Sequence, residues 1–476
     1  MHLLIRLFIF RRKTIKLFLV FVAAMFLLLL LAWSVWMVGL KVRTAWIRWE
    51  IRAAGYPVTA EELDSWYAQP VGENAAVTLM EAYEMLSEAA DPPLYSLPWR
   101  EDEDDPASAI YGRRWPAEIL LKTDDYLTSY RFAMIRAEQA VSVVDSRYPI
   151  NLAEGYVVVL PHLYPARKLT RALRLKAPLE AQRGNAEEVV RAILLMNAIA
   201  RSLDREPLHI SGLLRISNDS LLYETIEVSL AHITLDESHY IKLIKAIASR
   251  EIDDSLFRGL VGVRVMFDSF YDDPVFYDDP NEIPVVELDT NLGGWLIPAL
   301  RWAGVWELNR QFGLIKYRQA AQDMKQAEIE VLALDQDFLE LSLQTFVGMP
   351  LDAYVTDSNQ EVHLVSMAQH RLMLLGLASY SYYAQHKRYP DSIAGLIADR
   401  SYLISKDPFA PEQLLKLRDT PFGLVLYSVG PDRIDDGGTP QEEFTHVRPR
   451  PGDIVFRVFE HPGEPQPGAD LLPSSQ

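Results

Sequence analysis

"LTRALRLKAPLEAQRGNAEEVVRAILLMNAIA", residues 169 to 200, decides the fold class. Leu169, Ala172, Leu173 and Leu179, and then Val189, Ala192, Ile193, Met196, Ala200 and Leu203, recur mostly at three- and four-residue steps. A helix needs that spacing if one stripe is to pack inward. Between the two runs, Gly184 can take the left-handed conformation that ends a helix, and Asn185 can cap the next one. The stretch therefore reads as a helical hairpin. The same texture extends from about Pro116 to Ser249 and resumes from about residue 304 to 343. Upstream, Thr59 followed by Glu61 and Glu62 marks one helix start, and Asn74 is placed to cap another from Ala75 to about Ala89. The body is expected to be mainly α.

Before this body lies Leu17 to Leu40, "LFLVFVAAMFLLLLLAWSVWMVGL", 24 residues without a charge. At 1.5 Å per residue it is long enough to cross a hydrocarbon core of about 30 Å. Lys41-Val42-Arg43 follows where a cleavable signal peptide would have small residues, so the segment reads as a retained transmembrane helix. Arg6, Arg11, Arg12, Lys13 and Lys16 precede it, against Lys41, Arg43, Arg48 and Arg52 after it, which places the N-terminus inside. Trp33, Trp36 and Trp46 suit an interfacial aromatic belt. The expectation is a basic cytoplasmic tail (1–16), a transmembrane helix (17–40) in the cytoplasmic (inner) membrane and a helical extracytoplasmic, periplasmic domain (41–345). An inverted anchor would leave the body in the cytoplasm.

The chain carries a formal charge of −18 and no cysteine. Since the N-terminal segment is basic, the soluble body is more acidic than the whole, which speaks against nucleic acid or anionic lipid as a partner for that body. Without cysteine there are no disulfides, thiolate metal sites or cysteine nucleophiles. "EDEDDP", residues 101 to 106, has no apolar face and reads as a solvated loop. "DSFYDDPVFYDDPNEIPVVELDT", residues 268 to 290, reads as a surface loop or connector; Asp272, Asp273, Asp278 and Asp279 could gather a cation there, but the interleaved aromatics and prolines can equally anchor a long loop.

After a long helix with Leu372, Leu375, Ala378 and Tyr382 along one stripe, the texture changes to short alternating runs. The long helix, "YAQHKRYPDSIAGL" (383 to 396), "LISKDPFAP" (403 to 411), "GLVLYSVGPDRIDDGG" (423 to 438) and "GDIVF" (452 to 456) follow one another in an order that resembles the C-terminal domain of the major pseudopilin of type II secretion. The resemblance covers about residues 361 to 460 and implies a small α+β module, with 461 to 476 as a disordered tail. It further implies a structural Ca²⁺ in the loop after the Tyr-Ser strand, with Asp432 and Asp453 matching the family's aspartates and Ser428 and Val429 offering carbonyls. Asp435 and Asp436 either add ligands or are turn residues. Ca²⁺ takes six to eight oxygens at about 2.3 to 2.6 Å, and glycines permit the tight turns this requires. Arg433 stands where the family has glycine, and no acid lies in the apolar segment where a pseudopilin carries its glutamate. The whole chain also resembles uncharacterised membrane-anchored bacterial proteins.

There is no Gly-x-Ser-x-Gly, His-Glu-x-x-His or phosphate-binding glycine loop. His363 and His370 lie about 10 Å apart along a helix axis, too far to share one metal without bending, and read as packing or surface residues; His232 and His239 have the same spacing and the same reading. His386 and Arg388 suit a helix C-terminus. The sequence thus supports a non-enzymatic interaction or scaffold protein of the envelope, held by its membrane helix and serving an envelope protein partner. The alternatives are a membrane-bound hydrolase with a carboxylate site and a divergent type II secretion component.

Overall fold

The first helix, α1 (His2–Ala53), runs unbroken through the apolar stretch and beyond it. At 1.5 Å per residue its 52 residues extend about 78 Å. From Leu17 to Leu31 its large apolar side chains are exposed, and the segment is long and apolar enough to cross a membrane. Past Gly39 the pattern changes: Leu40, Thr44, Ile47 and Ile51, at steps of four, three and four, are buried. One helix therefore joins an all-round apolar span to an ordinary amphipathic segment. The computed structural model describes residues 2–86, 114–250, 255–272, 298–326, 357–397, 405–421, 423–441 and 451–459. Residues 101–106, Asp273, Asp278 and Asp279, residues 327–343 and the tail 461–476 lie outside them, as do the side chains of Arg6, Arg11, Arg12 and Lys13.

Two compact units divide the chain. The first combines residues 2–60 with 264–318. Ile47 and Ile51 of α1 pack there with Val58 and Leu314, the latter on the helix Val305–Gln326. The Phe267 ring lies so close to Gly313 that a Cβ at 313 would come within 2.0 Å of it, which is why that helix needs a glycine there.

The second unit contains the predicted hairpin. In chain order α2 (Ala60–Trp66), α3 (Ala75–Glu84), α4 (Ala117–Thr128), α5 (Arg131–Glu138), α6 (Leu163–Gln182), α7 (Ala186–Arg201), α8 (His209–Leu230) and α9 (Glu237–Ala248) make its helical part. Asn74 caps α3 by accepting the Ala76 N–H at 3.1 Å. Gly184, at φ +78°, turns α6 into α7. Asn185 sits at the N-cap of α7 but does not cap it with its side chain. Its amide instead donates to the Glu180 carboxylate at 2.5 Å, because that acid lies one turn back across the hairpin.

The helix Asp357–His386 and the short Ile393–Ile397 introduce the C-terminal part, where β1 (Lys406–Asp407) pairs with β2 (Ala410–Leu414) and β3 (Lys416–Thr420), β4 (Gly423–Ser428) and β5 (Ile454–Phe459) form an antiparallel sheet in that order. Leu372, Leu375 and Ala378 are fully buried along one stripe of the long helix. Gly376 lets that helix approach β5, since a Cβ there would stand 2.2 Å from the Phe456 ring. The sheet is bonded to the helices as well: Arg457 donates its backbone N–H and guanidinium to Glu227 of α8 at 2.9 and 3.1 Å, and the Phe459 N–H donates to the Tyr380 hydroxyl at 2.9 Å. The protein is thus mainly helical, with a small sheet-containing C-terminal part and one long apolar N-terminal helix.

Candidate cation loop and a buried arginine cluster

β4 and β5 pair as far as Ser428 opposite Ile454, and the chain beyond Ser428 must turn out and return. Gly430, Gly437, Gly438 and Gly452 all take positive φ. Arg433 also sits at φ +59°, a conformation that costs a residue with a Cβ roughly 1–2 kcal/mol relative to glycine.

Of the loop aspartates singled out from the sequence, Asp453 is the buried one, at 1% exposure. Its carboxyl accepts the Gly438 N–H at 2.6 Å and the Asp436 N–H at 3.5 Å. Burial pushes this group up to about 6; those two N–H groups oppose the shift, and the nearby Asp436 and Asp435 charges add to it. Asp432 lies elsewhere in the loop, accepting the Ile434 N–H at 3.1 Å and the Gly452 N–H at 3.3 Å. Asp435 pairs with Lys416 at 2.5 Å, and this hydrogen bond holds its carboxyl below the usual range. Among the described residues no three acidic or histidine side chains are gathered in an arrangement that could hold a metal. A cation here would have to draw on loop carbonyls together with Asp453 and its acidic neighbours.

Ser428 and Val429 are turned to another acid. Asp407, 1% exposed, accepts the Ser428 hydroxyl at 2.7 Å, the Phe409 N–H at 2.9 Å and the Val429 N–H at 3.0 Å. It ties the β1–β2 hairpin to the end of β4. The sequence reading passed over it, although "KDPFAP" places an aspartate just before a proline in the motif that carries the resemblance.

A second polar centre lies among the helices. The Arg250 side chain, wholly buried, donates to Asp204 at 2.8 and 3.3 Å, to both oxygens of Asp219, and to Asn197 at 3.4 Å. Arg215, four residues before Asp219 on α8, reaches the same carboxylate at 2.9 Å. Burial alone would raise Asp219, but the Arg250 and Arg215 charges win and hold it below the ordinary range. His370 is pushed down to about 3 by burial and by Arg250, and His363 to about 4 by burial and by Arg215. Both are neutral packing groups. Burial likewise takes His232 down to about 4, while His239 pairs with Glu187 at 3.2 Å. His386 bonds the Tyr382 carbonyl at 3.0 Å near the end of its helix, whereas Arg388 pairs with Asp391.

Chemically, Asp204 and Asp219 converge as a hydrolytic acid pair would, but on a guanidinium that uses both. The cavity beside Asp204 and Arg250 measures about 50 Å³, room for one or two waters at roughly 30 Å³ each. No family model, no curated protein and no solved structure matches the chain.

Proposed function

We propose that this is a single-pass envelope protein, anchored in the cytoplasmic membrane with its body in the periplasm, that acts as a non-enzymatic interaction or scaffold protein. The observation that supports it best is the continuity of α1, which is apolar on all sides from Leu17 to Leu31 and buries Thr44, Ile47 and Ile51 further along without a break. A flexible tether would be enough to keep a diffusing activity near a membrane. A hinge-free helix fixes the orientation of whatever is built on it, which matters to a protein that presents a surface. The excess of arginine and lysine ahead of the span supports the orientation. Full-length protein is expected to stay with membranes in alkaline carbonate and to yield one discrete adduct after crosslinking in intact cells. Release by carbonate would sink the anchor; crosslinking without any discrete adduct would sink the scaffold reading.

The C-terminal module is, in the same proposal, pseudopilin-like and tied down by a structural Ca²⁺ near Asp453, with Asp432, Asp435, Asp436 and the Ser428 and Val429 carbonyls as the surrounding donors. What supports it is the Asp453 carboxyl, raised first by burial and further by the Asp436 and Asp435 charges beside it, which a divalent cation would offset. The sign follows from that shift. A carboxyl raised above its unfolded value contributes stability that is present below about 4 and is lost as pH rises through about 6. Cation binding needs the ionised form, so it restores stability above pH 6 and fades below it. Millimolar Ca²⁺ against EGTA is expected to raise the melting temperature by about 3 °C at pH 7.5, if Ca²⁺ is near 100 times its Kd. The rise should shrink at pH 5 and disappear in Asp453→Asn. An equal rise in that variant would remove the site.

A further inference from the structure

In the first unit, a cavity of about 580 Å³ opens beside α1 just beyond its apolar run. Lys41, Arg48 and Arg52 line it from α1, and Arg301, Glu307 and Arg310 from the facing segment. Arg48 and Arg310 are already neutralised. Arg310 meets Asp268 and Asp272 at 2.6 Å each, and Arg48 meets the same two acids at 2.7 and 3.0 Å. That leaves Lys41 and Arg301 against Glu307, which accepts the Thr44 hydroxyl at 2.5 Å. The lining therefore keeps a local excess of positive charge on a body that is acidic as a whole. Lys41 and Arg301 are exposed and make no ion pair among the described residues, and Arg301 lies over the Trp306 ring at 5.2 Å.

The position along α1 indicates the ligand. Lys41 is the first charge after the apolar run. The facing segment follows α1 back into that run, where Trp33 donates its indole N–H to the Trp302 carbonyl at 2.7 Å and the two rings stack at 5.7 Å. Trp36 and Trp302 are exposed, as tryptophans at a lipid–water boundary are. The cationic cavity thus begins where lipid headgroups would lie, and its size is that of a small-molecule site. We propose that it binds the headgroup of an anionic phospholipid, with the phosphate against Lys41 and Arg301. A zwitterionic lipid offers the phosphate without the net negative charge that the positive lining selects.

This rests on the membrane-anchor reading, and its test separates the two. Delipidated full-length protein in non-ionic detergent is titrated with dioctanoyl phosphatidylglycerol, dioctanoyl phosphatidylcholine or inorganic phosphate, following tryptophan fluorescence and the melting temperature. Phosphatidylglycerol is expected to give a saturable shift, and the other two little. The exposed-site variant Lys41→Gln/Arg301→Gln, with an unchanged melting temperature in detergent alone, should bind about thirtyfold more weakly, at roughly 1 kcal/mol per cation. An unchanged affinity in that variant, an equal response to phosphatidylcholine, or an equal response to free phosphate would overturn the proposal while the protein still resists carbonate. Release by carbonate would overturn both readings.

Discussion

Arg250→Met is expected to destabilise the folded protein by about 3–5 kcal/mol, measured by urea unfolding of the full chain in non-ionic detergent. The methionine fills much of the same space, so the loss is electrostatic. Asp204 loses its bonds to the guanidinium outright, and Asp219 keeps only Arg215 of its two arginines. Adding Asp204→Asn and Asp219→Asn should return more than half of the loss, since neutral amides tolerate burial better than unpaired carboxylates. The pH profile supplies a second readout. His209, His232, His363 and His370 are all depressed, to about 4, 4, 4 and 3. Each contributes stability that is complete above its unfolded value near 6.5 and is lost as pH falls toward the folded value. In Arg250→Met the repulsion on His370 is gone, so the decline on acidification should be shallower than in the parent protein. A parallel decline, or a loss below 1 kcal/mol at pH 7.5, would mean that Arg250 does not hold this cluster together.

That cluster was out of reach of sequence reading for a physical reason. Asp204, Asp219 and Arg250 are 15 and 31 residues apart, and nothing local marks an ion pair between separate helices. The apolar periodicity, by contrast, is a local property, and it located the hairpin, its glycine turn and the stripe on the long C-terminal helix, because helix faces repeat within a few residues. The change of α1 from an all-round apolar surface to a single buried stripe lies in its sequence too, at Leu40, Thr44, Ile47 and Ile51. What that stripe packs against was not legible, because Leu314 is more than 260 residues away. Asn185 marks a similar limit. An asparagine after glycine suits an N-cap, but Glu180 across the turn competes for its amide, and a charged acceptor makes the stronger bond. In the loop, the sequence drew attention to the visible acids and missed the one with the most bonds to it.

Asp407→Ala should therefore cost more than any substitution among the loop aspartates, about 4 kcal/mol. Its carboxyl takes three donors, from Ser428, Phe409 and Val429, at a site 1% exposed. Each buried donor left without an acceptor costs roughly 1–3 kcal/mol, and alanine is too small to keep water from partly relieving the sum. Asp407→Asn retains one oxygen but turns an amide N–H₂ toward a donor, so it should cost most of the same amount. Asp432→Ala gives up two bonds in a half-exposed part of the loop, where water replaces them, and should cost about 1 kcal/mol. The amide of Val429 offers a local readout. Its hydrogen exchange should accelerate far more in Asp407→Ala than in Asp432→Ala, since the former releases that N–H and the latter does not. If Asp432→Ala proved the more damaging, the module would be held by its outer loop, and the cation reading would gain what Asp407 lost. If Asp407 dominates, the end of β4 is fixed from within, and a cation near Asp453 adds to a frame that stands without it.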